Sequence, residues 1–494
     1  MADLDDTIGV ARLLTVVQKP TFWLALIPAV VIVALVVPYL YDPLGLRVFP
    51  GPILAKLTSG WMAWTVNENR WSVTVEKLHH KYGIFVRLSP DHVSIAHPAA
   101  LNAIYGHSAG ATKAPFYDAF SNFRARNMFN TRSRTEHSRK RRNESHMFSP
   151  QSVRALEGTA RVHHSNLVSQ WDKLCSYVPH TQSGGAAVGN LGACEWRVDD
   201  GRVWFNCMPC DLAFGAPFGM LLSGRDTARV AKSLKASLAA FGASAKTGAE
   251  VTFETEEIPA AQVLNERAEL TAVLGWVPSR WHSLVQRLPA FRTGKEASPK
   301  MAGLAVAAVA KRISNPDARE DMLNKLLESR DENGEPLSAD ELSAEAFLLI
   351  IAGADTVANT SCATTYYIAR DPRIQAKLQA ELDEALNAIN SDVAPYDAVK
   401  HLPYLDAVIN EGLRVFSTVG AGPPRVVPEG GMTVLGHHFK EGTCVSVPVY
   451  HLHHDERIWG DNADEFYPER WIEATGERKK AMLDAFAPFS LGPR

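Results

Sequence analysis

The stretch LSAEAFLLIIAGADTVANTSCATTYYIARDP, residues Leu342–Pro372, decides the fold of this chain. Ser338 and Glu341 offer a capping box that predicts a helix start just before it, and Pro372 predicts the helix end. At 1.5 Å per residue, some thirty residues make a helix of roughly 45 Å, enough to cross a whole domain. Because its middle is apolar or small nearly all the way round, we expect that middle to be buried.

Two residues in the middle of this helix are locally unfavourable. Gly353 costs about 1 kcal/mol relative to alanine, and a buried, unpaired Asp355 costs more. Together they suggest that a ligand lies against this turn, because small residues let a large flat molecule approach the backbone. Asp355 and Thr356 could then relay protons in a dry pocket. The structural alternative is that Thr356 bonds back to the preceding turn and Asp355 pairs with a distant arginine.

A second helix is predicted at LPYLDAVINEGLRVF, residues Leu402–Phe416. Its apolar residues recur at helical spacing: Leu405, Val408, Ile409 and Leu413. Glu411 and Arg414 are three residues apart and share a face. Arg470, in FYPERW, supplies a second guanidinium, and one carboxylate facing two arginines can link a loop to a helix through bidentate bonds.

The composition is that of a globular protein, with 494 residues, 46% of them hydrophobic and 21% charged. The formal net charge of -3 excludes a basic surface of the kind that binds nucleic acid, apart from the short cluster RKRR at Arg139–Arg142. Six cysteines are scattered along the chain and do not form a disulfide pattern. Cys207 and Cys210 form a C-x-x-C pair, which is either a metal or redox pair or two small residues of a buried helix.

The N-terminal region contains an apolar segment, Thr21–Tyr41, without a charged residue. Its length suits a membrane-spanning helix, and Trp23 and Tyr39 near its ends suit the interfacial regions. The segment Phe49–Pro52, FPGP, is predicted as a stiff hinge after the anchor. We therefore expect an N-terminal region, residues 1–48, with a membrane helix at about 21–41, followed by one large domain, residues 49–494.

Strand signals are short and few. Ile84–Ala96 has two β-branched runs around a turn, which predicts a hairpin. Further strands are predicted at Met432–Phe439 and Thr443–Tyr450. The expected fold is therefore mainly α-helical, with small β-sheets.

These features occur in a fixed order: an apolar anchor, a Pro-Gly segment, A-G-A-D-T, E-x-x-R, P-E-R-W and F-x-x-G-x-R. From about Tyr82 to its last residue the chain resembles the cytochrome P450 superfamily of haem-thiolate monooxygenases. Tyr82–Pro98, Phe129–Ser149 and Leu212–Leu221 are similar to the fungal benzoate 4-monooxygenase branch. This resemblance implies a haem (iron protoporphyrin IX) enzyme that hydroxylates benzoate, or a close aromatic acid, at the para position. It also implies electrons from NADPH through a cytochrome P450 reductase, and a single-pass protein of the endoplasmic reticulum membrane with a cytosolic catalytic domain.

The resemblance also implies roles for individual residues. Gly353, Asp355 and Thr356 resemble the turn that delivers protons during oxygen activation. Glu411, Arg414 and Arg470 resemble a structural salt-bridge triad behind the haem. The expected haem contacts, toward its propionates or in the loop that precedes its ligand, are His137, Arg141, Arg425, Phe489, Gly492 and Arg494. His137 stands where the family usually has a tryptophan, and it can still donate a hydrogen bond.

The resemblance leaves three interpretations open. In the family a cysteine, the iron ligand, follows the arginine of F-x-x-G-x-R after one residue, and here that arginine is Arg494. The first interpretation is therefore a monooxygenase whose sequence is shown incomplete at its C-terminus, without the proximal region of the fold. The second is a membrane-anchored relative that is inactive without the axial cysteine. The third, from another class, is a metal-dependent hydrolase using HLHHDE, His451–Glu456.

The substrate carboxylate needs a cation or several donors, because burying it bare is costly. The segment that lies above the haem in relatives offers four candidates: Lys113, Tyr117, Arg124 and Arg126. They could equally be solvated loop residues. The outward residues of Arg139–Arg142 could face an acidic reductase.

Overall fold

The computed structural model describes residues 20–176, 220–223, 225–233, 237, 254–313, 321–387, 389 and 393–494. The Cys207–Cys210 pair lies outside the described residues. Within them the protein is mainly helical with three small sheets, as the sequence predicts.

The longer helices account for most of the described chain. Those of eight residues or more are α1 (Pro20–Tyr41), α2 (Gly60–Asn67), α3 (Trp71–Tyr82), α4 (Pro98–Tyr105), α5 (Arg134–Ser145), α6 (Glu157–Ser176), α7 (Ala260–Gly275), α8 (Arg292–Ile313), α9 (Ala339–Arg370), α10 (Pro372–Leu386), α11 (Pro403–Val415) and α12 (Gly476–Ala485). Shorter α-helices are Ile53–Leu57, Pro150–Ala155, Met220–Ser223, His282–Val285, Met322–Leu327, Tyr396–Val399, Val449–His453, Glu456–Trp459 and Arg470–Glu473. Short 3₁₀ turns are Leu46–Val48, Pro115–Phe120, His146–Phe148, Ser279–Trp281 and Pro289–Phe291.

The strands form one larger sheet and two hairpins. They are β1 (Phe85–Ser89), β2 (His92–Ile95), β3 (Thr112–Lys113), β4 (Ala228–Ala231), β5 (Thr255–Ile258), β6 (Arg425–Val426), β7 (Met432–Val434), β8 (His437–Phe439) and β9 (Cys444–Ser446). The larger sheet has the order β1-β2-β9-β6-β3. β1 and β2 form the predicted antiparallel hairpin, with Phe85 opposite Ile95. β2 then pairs with β9 in parallel, so the sheet joins the two ends of the described chain.

Helix α9 organises the helical body. It runs for 32 residues, and its N-cap Ser338 accepts the Glu341 backbone N–H at 3.2 Å, which confirms the predicted start. Phe347 and Ala354 belong to the main core, where they meet residues of α8 such as Met301. α9 also contacts α11, the helix that carries E-x-x-R, so α9 links that helix to the main core.

The middle of α9 is not buried all the way round, and that expectation was wrong. Ala354 and Ala358 are buried, but Ala352, Thr356 and Val357 are exposed. The difference arises because the packing partners of α9 cover only the face that carries the buried pair. The exposed turn is the one that the sequence marked as a ligand surface.

Helix α1 matches the predicted apolar segment, and it exposes large apolar side chains such as Leu24 and Ile32. Among the described residues, α9 is the one helix long and apolar enough to cross a membrane, and it packs within the helical body. The apolar stretch Leu26–Tyr41 of α1 is shorter. A membrane-spanning role for α1 therefore rests on its composition and exposure.

The Phe49–Pro52 segment is fixed to the larger sheet and is not a hinge. The Arg87 backbone N–H donates to the Pro50 carbonyl at 2.7 Å, and the Phe49 ring stacks on Phe439 with centroids 5.3 Å apart. A Cβ on Gly51 would lie 2.3 Å from the Arg87 carbonyl oxygen, so glycine permits this close approach. The two prolines make the segment stiff, but its aromatic side chain and backbone attach it to β1.

Candidate active site

Glu411, Arg414 and Arg470 meet in the interior as a Glu–Arg–Arg triad. Helix α11 carries the first two, and the short helix Arg470–Glu473 carries the third. Glu411 Oε1 accepts from Arg414 Nη2 at 2.8 Å and from Arg470 Nε at 2.9 Å. All three side chains are at most 2% exposed. Burial raises the pKa of Glu411, but hydrogen bonds and charge from Arg414, then Arg470, outweigh it and hold that pKa below its usual value.

The remaining hydrogen-bonding groups of the triad also have partners. Glu411 accepts the Tyr467 backbone N–H at 2.8 Å and the Trp471 indole N–H at 2.9 Å. Arg414 donates to the carbonyl of Ala463 at 2.6 Å, and Arg470 donates to backbone carbonyls as well. A buried ion pair is stable only when such bonds compensate the lost solvation.

The triad changes which face of α11 is buried. The sequence placed Ile409 on the apolar stripe, but Ile409 is 47% exposed. The buried face instead carries Tyr404, Val408, Glu411 and Arg414. Hydrophobic spacing did not predict this face, because it carries the charged residues Glu411 and Arg414, whose burial is compensated by their ion pair.

His453 is a buried connector that the sequence analysis did not identify. Its Nε2 accepts the Ala487 backbone N–H at 3.1 Å, so Nδ1 carries the proton and donates to Ser417 Oγ at 2.7 Å. Its carbonyl accepts from Arg414 at 2.5 Å. Burial, reinforced by Arg414, lowers the pKa of His453 to about 3, so the ring is neutral. His453 thus links the triad to the chain just before F-x-x-G-x-R.

The exposed turn of α9 holds the predicted proton-relay residues. Thr356 Oγ1 donates to the Ala352 carbonyl at 2.6 Å, which is the bond to the preceding turn that the structural alternative predicted. The predicted pairing of Asp355 with a distant arginine is absent: Asp355 accepts from Asn359 Nδ2 at 3.0 Å and forms no ion pair with an arginine of the described residues. Gly353 is half-buried beside them. The carboxyl and hydroxyl groups therefore sit on adjacent positions of a helix surface that the protein leaves partly open.

Five basic side chains from separate parts of the chain come together near Arg494, and we call them the cationic cluster. They are Lys113 of β3, His137 and Arg141 of α5, Arg425 of β6, and Arg494. Strands β3 and β6 pair Lys113 directly with Arg425. Within the described part of the chain, none of the five forms an ion pair with a carboxylate.

Neutral hydrogen bonds hold the cationic cluster in place. Arg425 donates to the Tyr117 hydroxyl at 2.8 Å and to the Arg494 carbonyl at 2.8 Å. Arg141 donates to the Pro493 carbonyl at 2.7 Å. Hydrogen bonds therefore position Arg141 and Arg425, and no Asp or Glu side chain of the described residues pairs with either.

Burial and neighbouring like charges lower the pKa values of two members of the cationic cluster. Burial, followed by the charges of Arg425 and Arg494, lowers the pKa of Lys113 to about 7. Burial, followed by Lys113 and Arg494, lowers the pKa of His137 to about 4. In both cases burial and neighbouring positive charges lower the pKa, and for Lys113 they outweigh the opposing charge of Glu345.

The C-terminal loop lies against α4 and the cluster. Gly492 has a φ of +74°, and a Cβ there would lie 1.8 Å from the Tyr105 carbonyl oxygen, so only glycine fits. Arg494 Nη1 donates to the Ala111 carbonyl at 2.7 Å. Phe489 is 83% exposed, an unusual position for a large aromatic ring in a well-packed loop.

The basic run Arg139–Arg142 divides between inward and outward residues. Arg139 and Lys140 pair with Glu341 at the start of α9, and Lys140 also reaches Glu345 at 2.9 Å. Arg142 is exposed. Half of the run therefore holds α5 against α9, and it is not a continuous outward surface.

The four candidates for the substrate carboxylate separate in the structure. Lys113 belongs to the cationic cluster, and Tyr117 is bound by Arg425. Arg126 pairs with Asp118 at 2.7 Å. Arg124 is exposed, and its side chain has no hydrogen bond or ion pair among the described residues.

The HLHHDE segment does not form the hydrolase site that we considered. Val449–His453 is a short helix, although the sequence predicted a strand through Tyr450, because Pro448 ends the extended run and occupies the helix N-cap. His453 is engaged as described above, and His454 Nδ1 donates to the Tyr450 carbonyl at 2.8 Å. Asp455 pairs with Arg457 at 2.6 Å.

Comparison with known proteins identifies the family. The sequence model of the cytochrome P450 family matches residues 248–494. The chain belongs to the cytochrome P450 family. It is 39% identical over 462 residues to benzoate 4-monooxygenase bphA of Aspergillus niger, covering 91% of this chain and 83% of that protein. It is 30% identical over 453 residues to cytochrome P450 monooxygenase prhB of Penicillium brasilianum, covering 91% and 82%, and 30% identical over 471 residues to cytochrome P450 monooxygenase BipB of Cochliobolus sativus, covering 91% and 80%.

As a cytochrome P450, the protein is an oxygenase that uses haem and electrons from NAD(P)H through a reductase. The residues present fit this cofactor. Haem carries two propionate carboxylates, and the cationic cluster is a set of donors, all but the exposed Arg141 buried or half-buried, without a carboxylate of its own. A group with two negative charges would supply what this cluster lacks.

Proposed function

We propose that this cytochrome P450 hydroxylates benzoate, or a close aromatic acid, at the para position. The observation that carries the proposal is the 39% identity, across 91% of the chain, to a protein named benzoate 4-monooxygenase. When bound, haem supplies oxygen activation: benzoate, O₂, two electrons and two protons give 4-hydroxybenzoate and water. The electrons come from NADPH through a cytochrome P450 reductase.

The cationic cluster is proposed to hold the haem propionates. Arg425 donates to the backbone carbonyl of Arg494, so the two residues lie side by side and would present their guanidinium groups to the same ligand. His137 is neutral without the propionates and would donate one N–H. Arg141 is the most exposed of the five, and its contribution can be tested without disturbing the core.

Asp355 and Thr356 are proposed to move the protons. The Thr356 hydroxyl, bonded back to Ala352 at 2.6 Å, keeps lone pairs that can accept a proton-donating water. The Asp355 carboxylate, held by Asn359, can exchange that proton with solvent. Gly353 would let the macrocycle approach the backbone of α9.

The Glu–Arg–Arg triad is proposed to act structurally, by fixing the segment that His453 connects to Ala487. Phe489 and Gly492 would then begin the loop beside the iron. In the family this loop carries the cysteine that would bind the iron. Cys362 and Cys444 are both buried, Cys362 in the main core and Cys444 on β9.

Helix α1 is proposed to anchor the protein in the endoplasmic reticulum membrane, with the catalytic domain in the cytosol. We assign residues 1–48 to the anchor region and residues 49–494 to the catalytic domain, with Leu46 already packed against the latter. Arg124 is proposed as a contact for the substrate carboxylate, because it alone of the four candidates keeps a free guanidinium in the described structure. An unchanged benzoate KM in Arg124→Ala would remove it.

The proposal is tested by turnover of the full-length protein in membranes with reductase, NADPH, O₂ and benzoate. Mass spectrometry and chromatography should show 4-hydroxybenzoate as the main product. Hydroxylation at another ring carbon, or no benzoate consumption by protein that holds haem, would contradict it.

The inactive relative remains the alternative, and a separate measurement distinguishes it. The reduced protein is treated with carbon monoxide and its Soret band is recorded. A band characteristic of thiolate ligation supports the oxygenase, and its absence from haem-loaded protein supports the inactive form.

A further inference from the structure

Three side chains with metal-binding groups meet outside the proposed haem site. Glu76 and His80 lie four residues apart on α3 and therefore share a face. His451 reaches them from the short helix Val449–His453, which packs against α3. One potential ligand atom from each residue lies within 4.8 Å of the other two.

Within the described residues, the side chains of these three residues form no hydrogen bond or ion pair with the rest of the protein. Glu76 forms no ion pair, and neither His80 nor His451 has a hydrogen bond from its ring. His451 is only 6% exposed, and its Nδ1 is buried without a partner. Native proteins satisfy most buried polar groups, so such a nitrogen needs an explanation.

The neighbouring His79 is a useful contrast. Its ring lies 5.3 Å from that of His451. Its Nδ1 bonds the Gly83 carbonyl and its Nε2 bonds Ser94 Oγ, both at 2.8 Å. Of two adjacent buried histidines, one is therefore fully bonded within the fold, and the other is left with free ring nitrogens.

The surroundings allow an ion to enter. A cavity of about 520 Å³ opens beside His80 and His451, which leaves room for a water molecule. A neutral imidazole offers the lone pair that a metal requires.

We propose that Glu76, His80 and His451 bind a divalent late first-row metal ion, zinc above all, with a water as fourth ligand. Two imidazoles and one carboxylate are a recognised zinc donor set. Zn–N bonds of about 2.1 Å in a tetrahedron place ligand atoms about 3.4 Å apart. His80 is exposed and Glu76 half-buried, so rotation of these two side chains can close the remaining distance onto the fixed His451.

The ion would link α3 to the segment that carries His453. Because His453 bonds Ser417 and Ala487, the metal would stabilise the part of the fold that connects the triad to the C-terminal loop. This role is independent of benzoate hydroxylation.

Zinc binding to the full-length, tag-free, detergent-solubilised protein can be measured by isothermal titration calorimetry with ZnCl₂. We expect one high-affinity equivalent and a rise of Tm on zinc addition. His80→Ala and Glu76→Gln should each weaken binding by about tenfold or more. His80 is exposed, so its replacement should leave folding intact.

His401→Ala is the matched control, because His401 is an exposed histidine outside the cluster, and it should bind zinc like the unmodified protein. X-ray absorption of the bound zinc should show imidazole and oxygen ligands without sulfur. Equal zinc affinity in His80→Ala and the unmodified protein, or sulfur ligands, would overturn the proposal.

Discussion

The Glu–Arg–Arg triad and the cationic cluster use the same kind of side chain in opposite ways. In the triad, Arg414 and Arg470 are buried against one carboxylate. In the cluster, Arg425 and Arg494 are bonded to neutral oxygen atoms. The triad therefore contains a carboxylate that both of its guanidinium groups share, and the cluster contains none.

This difference separates a structural network from a binding site. A fully bonded network with its own carboxylate has no open group for a ligand, and removing that carboxylate leaves unpaired buried charge. An unbalanced cluster has repulsion that an anion can relieve. In the absence of haem, removing a triad member should lower the free energy of unfolding, and removing a cation of the cluster should leave it equal or slightly higher.

The largest expected effect is in the triad. Glu411→Gln removes the shared carboxylate and leaves two buried guanidinium groups without counter-charge. We expect the free energy of unfolding to fall by about 3 to 5 kcal/mol, measured by denaturant unfolding of the apo-protein. Glu384→Gln on the exposed face of α10 should change it little, and equal stability of both variants would mean that the triad is not required for the fold.

A smaller effect, on haem retention, is expected in the cationic cluster. Arg141→Gln should weaken haem retention by about 1.5 to 3 kcal/mol, the usual worth of a hydrogen bond to a charged group, while leaving apo-protein stability equal or slightly higher. Haem transfer to a scavenging protein measures retention. Arg142→Gln, the exposed neighbour, is the control, and identical haem loss from both variants would contradict the propionate role.

The pH dependence of stability tests the cluster without mutating an arginine. The pKa of His137 in the folded apo-protein is about 4, below the ordinary 6.5 of the unfolded chain. Its contribution is therefore present above pH 6.5 and is lost as the pH falls toward 4. Between pH 7 and 5 this loss should be about 1 to 2 kcal/mol.

Denaturant unfolding of the apo-protein and its His137→Gln variant across this pH range isolates that contribution, because the other buried histidines are common to both. Bound propionates would add negative charge and shrink the difference in the haem-loaded protein. A pH dependence that is the same in both apo-proteins would refute the assignment.

The smallest effect on stability is expected at the open turn of α9. Thr356→Ala removes an exposed hydroxyl, so the free energy of unfolding should change by less than about 0.5 kcal/mol. The yield of product per NADPH should nevertheless fall by about tenfold or more, since a proton donor is lost. Thr365→Ala, which removes a similar back-bond at 2.8 Å further along α9, should stay coupled. Full coupling in Thr356→Ala would exclude the relay.

Much of the fold follows from local sequence signals. The start and end of α9 follow from Ser338 and Pro372, and the β1–β2 hairpin follows from its turn, because caps and turns depend on neighbouring residues alone. The Val449–His453 helix was missed although Pro448 marks its start locally. The attachment of Phe49–Pro52 was missed because it depends on packing partners distant in sequence.

Some features of the candidate site were predicted from the sequence, and others were not. The motif residues Glu411, Arg414 and Arg470 do meet, but the buried face of α11 could not be read from hydrophobic spacing. Lys113 joined the cluster because β3 pairs with β6, which are separated by more than 300 residues in sequence. His453 had no spacing signal. Glu76 and His80 share a helix face through their four-residue spacing, but His451 joins them only in three dimensions.

The position of His453 has a consequence for the order in which the molecule assembles. Its ring joins Ser417 and Ala487, which are 36 and 34 residues away along the chain, so the C-terminal loop can dock only after both distant pieces have met. Contacts of such separation require loop closure, which costs entropy that the local contacts of a helix do not. We therefore expect the long helices to form before the C-terminal loop docks. Haem would then bind only after that loop is in place.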